Sequence, residues 1–263
     1  MALVFPLSPR AHTLKLLADR FDLTRFSASD MVLCGAGIRA AAQDAATLED
    51  AAAAITSFLH AGLWDGPRHR AACALVRFYR TIRHADLEPS LQQRAAELIS
   101  PLPVVPEMRC LTLLGTAGDE PAWNSRRLSQ GHSVIPLQSP EAVRSLPMVA
   151  RLISQLGMKV EALTTGDPGG ELVTGPSVFY VPQAVGSRYV PAQQEFVLPY
   201  QIRSVLGFGG TLLSGDLFGV ILFARVTIPK PTADLFRYLS ADVRAGIVPP
   251  QRRGLFAAVP AAS

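Results

Sequence analysis

The densest set of side chains that could bind a ligand lies in the polar segment 119–132. It contains Asp119, Glu120, Trp123, Asn124, Arg126, Arg127 and His132. Arginine presents forked donors for a carboxylate or phosphate, tryptophan offers a flat face for a ring, and histidine can donate, accept or ligate. Because loops on a rigid sheet often carry function, this segment is a candidate ligand contact. It equally fits an exposed loop whose tryptophan anchors it to the domain.

A second group of potential hydrogen-bonding side chains lies in the segment 189–200, ahead of the last strands. Its members are Tyr189, Gln193, Glu195 and Tyr200. A few polar groups that converge on an apolar pocket are typical of a small-molecule site. The same segment also fits a structural role, in which it covers the sheet and caps a helix, so both interpretations stay open at this point.

No arrangement of residues typical of catalysis occurs in the sequence. It contains no GxxxxGK[ST] phosphate loop, no HExxH zinc motif and no GxSxG nucleophile motif. Gly35 and Gly37 fall within a predicted helix and lack the third glycine of a dinucleotide fingerprint. We therefore expect no enzymatic activity in this chain, and we expect any output enzyme to lie outside it.

The three cysteines, Cys34, Cys73 and Cys110, lie far apart in apolar segments. An odd number of widely spaced cysteines is typical of buried, reduced thiols, so we predict a cytoplasmic protein. The net charge is +4, but the basic residues are scattered and not interleaved with aromatics, so we expect no nucleic-acid partner. The longest apolar run, 217–224, is far shorter than the roughly 18 to 20 residues that span a bilayer, so we expect no membrane insertion.

The C-terminal third shows a clear order of elements. A strand is predicted at 204–208, a glycine-rich turn at 207–215 and a second strand rich in β-formers at 217–225. Apolar residues at helical spacing then predict an amphipathic helix over 232–247. We expect residues 249–263 to form a loose tail.

The opening part predicts helices at 9–22 and 27–45, with Ser27 or Ser29 capping the second. The apolar face of this second helix needs a partner, either the domain's own sheet or the same helix of a second protomer. Thr47 and Asp50 then start a capped helix, which leads to a strand at 72–79. Its alternation places Cys73, Leu75, Arg77 and Tyr79 on one face, and both faces are partly apolar, as in a sheet covered on both sides.

This order resembles the GAF domain. The motifs that carry the resemblance are the pair Arg203 and Ser204, the glycine turn, the GVILF-like strand at 219–223 and the final helix at 234–247. The helix from Thr47 and the strand at 72–79 match the family's opening. The resemblance implies an α+β fold of the GAF/PAS-like kind, with a central antiparallel sheet and flanking helices. It covers residues 46–248, preceded by a helical extension at 1–45 and enlarged between residues 82 and 137.

GAF domains are sensory modules found ahead of bacterial histidine kinases, cyclases and transcriptional regulators. The resemblance therefore implies a signal-sensing domain that binds a small ligand or partner. It would relay the signal through its terminal helices to its own output domain or to a separate kinase or cyclase, as a homodimer. The ligand-binding candidates are Trp123, Arg126, Arg127, His132, Tyr189, Glu195, Tyr200, Arg203 and Ser204.

Three further possibilities follow from the same resemblance. Some GAF domains bind haem, for which His132 is a candidate axial ligand; the cofactor is otherwise unknown. A ligand-free dimerisation or scaffold module is the alternative to a sensor. A free methionine sulfoxide reductase would need Cys73 and Cys110 in its pocket, but apolar strands disfavour the reactive thiolate.

Overall fold

The computed structural model describes residues 20–129, 131–165 and 178–258. Its strands are β1 (Phe21–Asp22), β2 (Leu63–Asp65), β3 (Arg70–Ala71), β4 (Cys73–Arg83), β5 (Arg109–Gly118), β6 (Val134–Pro136), β7 (Val178–Val181), β8 (Ser204–Thr211) and β9 (Leu217–Ala224). Its α-helices are α1 (Ala28–Ala42), α2 (Leu48–Gly62), α3 (Pro89–Ile99), α4 (Pro140–Arg144), α5 (Pro147–Gln155), α6 (Val160–Thr165) and α7 (Lys230–Gln251). Single helical turns of the 3₁₀ type lie at Gly66–Arg68, His84–Asp86 and Pro121–Asn124, and a π-helical turn at Gln193–Val197.

Six strands form one antiparallel sheet in the order β6, β5, β4, β9, β8, β7. β4, the first long strand after α2, therefore lies directly beside the last strand, with Phe78 of β4 opposite Val220 of β9. The opening and closing parts of the domain thus share one sheet. The predicted α+β class, a central antiparallel sheet with flanking helices, is confirmed. The short strands β1, β2 and β3 form a separate small sheet.

One face of the large sheet is covered by the long helices α2 and α7, with α1 packed on both. Phe236 of α7 meets Phe208 of β8 with ring centroids 5.4 Å apart. α2 lies so close to β5 that a Cβ atom at Gly115 would come within 2.3 Å of the Ala52 carbonyl oxygen. Only glycine fits there, because a backbone atom cannot move aside as a flexible side chain can.

The opposite face is covered by the short helices α4, α5 and α6 and by the segment 182–203. A Cβ atom at Gly207 or Gly219 would lie 3.1 Å from a methyl group of Leu152 or Leu156, respectively. Because these glycines have no side chain, Leu152 and Leu156 can pack directly on β8 and β9. The sheet is therefore buried on both faces, as the sequence predicts.

The predicted glycine turn is wrong in part. Gly207, Gly209 and Gly210 belong to β8, which continues to Thr211. The turn itself is shorter and contains Gly215, whose φ of 75° lies in the left-handed region. Close packing of helices and strands, rather than a bend, explains the glycines in the strand.

The predicted alternation along β4 fails at its first residues. A bulge between Cys73 and Leu75 shifts the register against β9. Cys73 consequently lies in the core on the side of the long helices, together with Phe78, while Leu75 and Tyr79 lie in the core on the opposite face. A bulge adds one residue to a strand, so the side chains before it change faces.

The predicted helix starts are confirmed at Ser27 and Thr47, each of which forms a capping box with an aspartate three residues later. The buried side of α1 packs on α7, where a Cβ atom at Gly246 would lie 3.1 Å from that of Ala42. An ion pair between Arg39 and Asp242 joins the same two helices. The partner of α1 within the chain is therefore the last helix. The sequence analysis had considered the sheet or the same helix of a second protomer.

Both ends of the described chain require corrections. The predicted helix at 9–22 lies largely outside the described residues, and its described end, Phe21–Asp22, is a strand that pairs in parallel with β2. The predicted loose tail is wrong for residues 249–258. Helix α7 continues to Gln251 through two prolines, and backbone hydrogen bonds then hold Gly254 and Leu255.

No helix within residues 20–129, 131–165 and 178–258 has both the length and the apolar character needed to cross a bilayer. The same ranges contain no group of three or more histidine, cysteine, aspartate or glutamate side chains arranged to hold a metal ion.

Candidate functional site

Arg126 is buried in an ion-pair cluster. Its Nη2 donates to Glu49 Oε2 at 2.7 Å, and the guanidinium donates to both oxygens of Glu88, at 3.1 and 2.8 Å. Burial disfavours the charged form, but the hydrogen bonds to the two glutamates outweigh it and raise the pKa of Arg126. The same hydrogen bond lowers the pKa of Glu88. These contacts give Arg126 a structural role rather than a free guanidinium for a ligand.

The cluster also holds the segment that follows α7. Glu49 Oε2 accepts a hydrogen bond from the Ala257 backbone N–H at 3.0 Å, and Arg127 donates to the Ala257 carbonyl at 3.1 Å. The first two N–H groups of α2 donate to the carbonyls of Gly254 and Leu255, at 2.9 and 3.0 Å. Segment 252–258 therefore caps α2, whose first N–H groups have no partner within the helix. We call the following set the clamp: Glu49, Glu88, Arg126, Arg127 and residues 252–258.

Trp123 and Tyr200, predicted from two separate segments, lie together with ring centroids 4.6 Å apart. Phe196 meets Trp123 at 5.6 Å and Phe223 of β9 at 5.1 Å. The Tyr200 hydroxyl donates to Glu120 Oε1 at 2.9 Å, which joins the two segments a second time. We call Trp123, Phe196, Tyr200 and Phe223 the aromatic cluster; its half-buried tryptophan anchors the loop to the sheet.

Tyr189 and Glu195 take different positions in the segment that covers the sheet. The guanidinium carbon of Arg151 lies 4.2 Å from the centre of the Tyr189 ring, and Arg188 donates to the Tyr189 hydroxyl at 2.8 Å. That hydrogen bond lowers the pKa of Tyr189. Glu195 is exposed on the π-helical turn.

Ser204 is fully buried at the start of β8. Its hydroxyl donates to the Val226 carbonyl at 2.7 Å and accepts from the Ile228 N–H at 3.2 Å. These bonds fix the chain between β9 and α7, and a ligand contact by Ser204 stays a prediction. Arg203 is exposed and lines a shallow groove of about 490 Å³ beside Leu198.

A site that the sequence did not single out lies around Arg77, in the middle of β4. Arg77 Nη1 lies 3.2 Å from the Tyr79 hydroxyl, and Nη2 donates to Ser129 Oγ at 3.0 Å. Among the described residues no carboxylate forms an ion pair with Arg77. Its Nε–H is buried and has no hydrogen-bond acceptor within the described protein. A cation so placed lacks its counter-charge.

Thr116 of β5 stands directly opposite Arg77 in the sheet. It is 3% exposed, and its hydroxyl oxygen is buried without a partner in the described part of the chain. A buried hydroxyl without a hydrogen bond costs about 1 to 3 kcal/mol. Two unsatisfied polar groups of neighbouring strands thus lie side by side. We call Arg77, Tyr79, Thr116 and Ser129 the Arg77 site.

His132 belongs to the surroundings of this site. It lies in the loop beyond Ser129 with a φ of 58°. Partial removal from water and the positive charge of Arg77 lower the pKa of His132, so the ring is neutral at neutral pH. Ser129 also lines a surface groove of about 710 Å³ between this loop and the start of α3. Arg77 itself is half-buried, so one side of the Arg77 site faces solvent. Haem ligation by His132 stays a prediction.

The sequence held one signal for this site. Arg77 is a charged residue in the centre of a strand that is otherwise largely apolar, and it alternates with Leu75 and Tyr79. A charge on a covered sheet face needs a partner or a ligand. Thr116 and Ser129 give no such signal in the sequence. The register of β4 and β5 places Thr116 beside Arg77, and the path of the loop after β5 places Ser129 there.

The cysteines form no reactive centre. Cys110 lies opposite Ile82, which is nine residues along β4 from Cys73, so the two thiols are about 30 Å apart. Burial raises the pKa of Cys73 and of Cys110 to about 12 and that of Cys34 further. The separation argues against the reductase possibility, which would need both thiols in one pocket.

We therefore expect none of the three thiols to react with 5,5′-dithiobis(2-nitrobenzoic acid) in the folded protein at pH 8. Reactivity requires the thiolate and access, and burial removes both. The measurement is the absorbance of the released thionitrobenzoate at pH 8. The control is the chain unfolded in guanidinium, in which all three thiols must react. A thiol that reacts at the unfolded rate in the native protein would contradict this assignment.

Comparisons with known proteins address the fold. No family model matches the chain, and no curated protein matches it. The chain is similar in structure to a free methionine-R-sulfoxide reductase from Neisseria meningitidis, with 11% identity, a TM-score of 0.47, and coverage of 90% of this chain and 98% of that one. It is also similar to a GAF domain structure, with 8% identity, a TM-score of 0.44, and coverage of 97% and 100%.

A third similar structure is the GAF domain of an Acinetobacter phosphoenolpyruvate-protein phosphotransferase, with 9% identity, a TM-score of 0.40, and coverage of 84% and 95%. The fold described above is GAF-like: an antiparallel sheet, long helices on one face, and short helices and loops on the other.

Proposed function

We propose that this chain is a cytoplasmic sensory domain that binds a small ligand at the Arg77 site. The observation that carries the proposal is the pairing of a guanidinium without a counter-charge and a buried, unsatisfied Thr116 hydroxyl on one sheet face. A fold normally satisfies such groups, and a ligand that supplies the missing acceptors recovers their cost. The surrounding hydroxyls of Tyr79 and Ser129 already orient the cation.

The proposed signal travels from the site to the C-terminal end through the loop that contains Ser129. Ser129 bonds to Arg77, and Arg126, three residues earlier in the same loop, belongs to the clamp. The clamp in turn holds residues 252–258, which directly follow the last helix. A ligand that changes the position of the loop would therefore change how firmly this segment is held. Such a response requires different ligand affinities for the two arrangements.

The output in this proposal is a histidine kinase or cyclase, present either further along the same protein or as a separate partner. The domain itself performs no catalysis. The burial of all three cysteines supports the second statement, because a buried thiol is shielded from a substrate. A homodimer joined through helices would bring two such outputs together.

The experiment that tests the proposal is native mass spectrometry of the protein purified from its own host. We expect a retained small molecule in the wild-type protein and its loss in Arg77→Met. The matched control is Arg83→Met, an exposed arginine of the same strand that pairs with Asp86. Retention in both variants would place the ligand elsewhere, and an empty wild-type protein that also gains no stability from a metabolite mixture would argue against a sensor.

Tryptophan fluorescence gives an independent readout of binding. The chain has two tryptophans, Trp64 and Trp123. Trp123 belongs to the aromatic cluster and packs against Gly118 of β5, the strand that also carries Thr116. We expect ligand to change the emission of the wild-type protein and of Trp64→Phe, but not that of Trp123→Phe. A change that follows Trp64 instead would contradict the location of the site.

A second candidate function, a ligand-free dimerisation module, is favoured by exposed apolar residues on the two long terminal helices. Val32 and Leu33 of α1 are 63% and 44% exposed, and Tyr238 of α7 is 56% exposed. Sedimentation equilibrium with and without ligand separates the two functions. A dimer whose strength no ligand changes would support the module, and a ligand-dependent association would support the sensor.

A further inference from the structure

We propose that the ligand of the Arg77 site is a monocarboxylate with an apolar or aromatic body. This inference rests on the proposed function and names the chemical class that the site would accept. It follows from the charge of the site, the geometry of its free donors and the side chains that lie next to it.

The charge of the site distinguishes Arg77 from the arginines near it. Arg126 pairs with Glu49 and Glu88, Arg127 lies 4.0 Å from a Glu49 oxygen, and Arg94 pairs with Glu97. Arg77 has only neutral hydroxyls as partners in the described part of the chain. An anion would therefore gain more electrostatic binding free energy at Arg77 than at the neighbouring arginines, whose charges are already compensated.

The free donors of the site match one carboxylate. Two guanidinium nitrogens of Arg77 are fixed by Tyr79 and Ser129, and the remaining one, Nε, has no partner. The free Nε–H can donate a charge-assisted hydrogen bond to one oxygen of a carboxylate. The Thr116 hydroxyl, unsatisfied on the adjacent strand, can donate to the other oxygen. This set binds one anionic group and leaves the rest of a ligand uncontacted.

The apolar part of the ligand is predicted from the aromatic cluster. Gly118 follows Thr116 by two residues on β5, so both point to the same sheet face about 7 Å apart. Trp123 covers Gly118 so closely that a Cβ atom there would lie 2.8 Å from the indole. A chain or ring of a few carbons reaches from the guanidinium to this surface.

One positive charge favours a monoanion over a phosphate dianion. Partial desolvation and the charge of Arg77 lower the pKa of His132, so this side chain adds no second positive charge at neutral pH. Tyr79 and Ser129 carry no charge. A dianion would bring one unpaired negative charge into a partly buried site, which is unfavourable.

The test is isothermal titration calorimetry on the full chain at constant ionic strength, with benzoate, hexanoate, benzamide and inorganic phosphate as probes. We expect saturable binding of benzoate or hexanoate, and binding of benzamide and phosphate at least about tenfold weaker, since a charged hydrogen bond contributes that much. Benzamide or phosphate binding as tightly as the carboxylates would overturn the proposed class.

Two variants locate the binding. Arg77→Met should weaken carboxylate binding by at least about tenfold, whereas Arg83→Met should leave it unchanged. Thr116→Val removes only the hydroxyl, so the unliganded protein should melt at the same or a higher temperature while carboxylate binding weakens several-fold. If Thr116 had only a structural role, its substitution would not weaken carboxylate binding while leaving the melting temperature unchanged. Equal carboxylate affinity in the wild type, Arg77→Met and Thr116→Val would overturn the assignment.

The outcomes also separate this inference from the proposed function. If the host-purified protein retains a neutral or cationic molecule that Arg77→Met loses, the ligand class is wrong and the sensor stands. If no probe binds and the host-purified protein retains nothing, both the class and the proposed site fail.

Discussion

Replacing Arg126 with methionine is expected to lower the free energy of unfolding by about 3 to 5 kcal/mol. The side chain is 5% exposed, and its removal leaves Glu88 without its cation and Glu49 with only Arg127, 4.0 Å away. Breaking a buried ion pair by deleting one partner is strongly destabilising for this reason. The measurement is equilibrium denaturation in urea, analysed as a two-state transition.

The control for this prediction is Arg94→Met. Arg94 is exposed and pairs with Glu97 on the surface of α3, where an ion pair contributes little. Hydrogen exchange should also show faster exchange of the Ala257 amide in Arg126→Met, because Glu49 loses the cation that holds its carboxylate in place. An Arg126→Met protein as stable as the control would show that the clamp does not stabilise the fold.

The effect of Arg126 should depend on pH in a defined direction. The hydrogen bond from Arg126 holds the pKa of Glu88 below its ordinary value in the folded protein. This contribution is therefore fully present above the range in which unfolded glutamates titrate, and it is lost as the pH falls through the folded pKa. The difference in stability between wild type and Arg126→Met should shrink as the solution is acidified. A difference that grows in acid would contradict the ion-pair explanation.

Phe236→Ala is expected to lower the free energy of unfolding by about 3 to 5 kcal/mol, the usual cost of truncating a buried phenylalanine. Phe236 is fully buried in α7, with its ring 5.4 Å from that of Phe208 and 4.9 Å from that of Phe26. It therefore ties the last helix both to the sheet and to the residues that precede α1. Its truncation leaves a cavity that the surrounding rings cannot fill.

The measurement for Phe236 is again urea denaturation, and Tyr238→Ala is the matched control on the same helix. Tyr238 is 56% exposed, so its truncation should change stability by no more than about 0.5 kcal/mol. Equal effects of the two substitutions would mean that α7 is not part of the core. The expected result places a limit on any relay, because a helix held this firmly can shift but cannot detach at low cost.

Local sequence patterns were sufficient for most of the elements. The capping boxes at Ser27 and Thr47 depend on residues three apart, so their helices begin where predicted. The strand at 72–79 and the closing pair were also predicted, and they share one antiparallel sheet. Where prediction failed, contacts distant in sequence decided the outcome. Gly207 looked like part of a turn, but it lies in a strand because it pairs with Phe179 of β7 and Ile221 of β9.

The candidate site shows the same division most clearly. By itself, the sequence determined the fold class, the order of the elements and the presence of a polar loop with two arginines. It could not tell that Arg126 is neutralised while Arg77 is not, because the partners Glu49 and Glu88 are 77 and 38 residues away from Arg126. Residue type fixes the charge of a side chain, but only the tertiary structure decides which opposite charges come within reach of it.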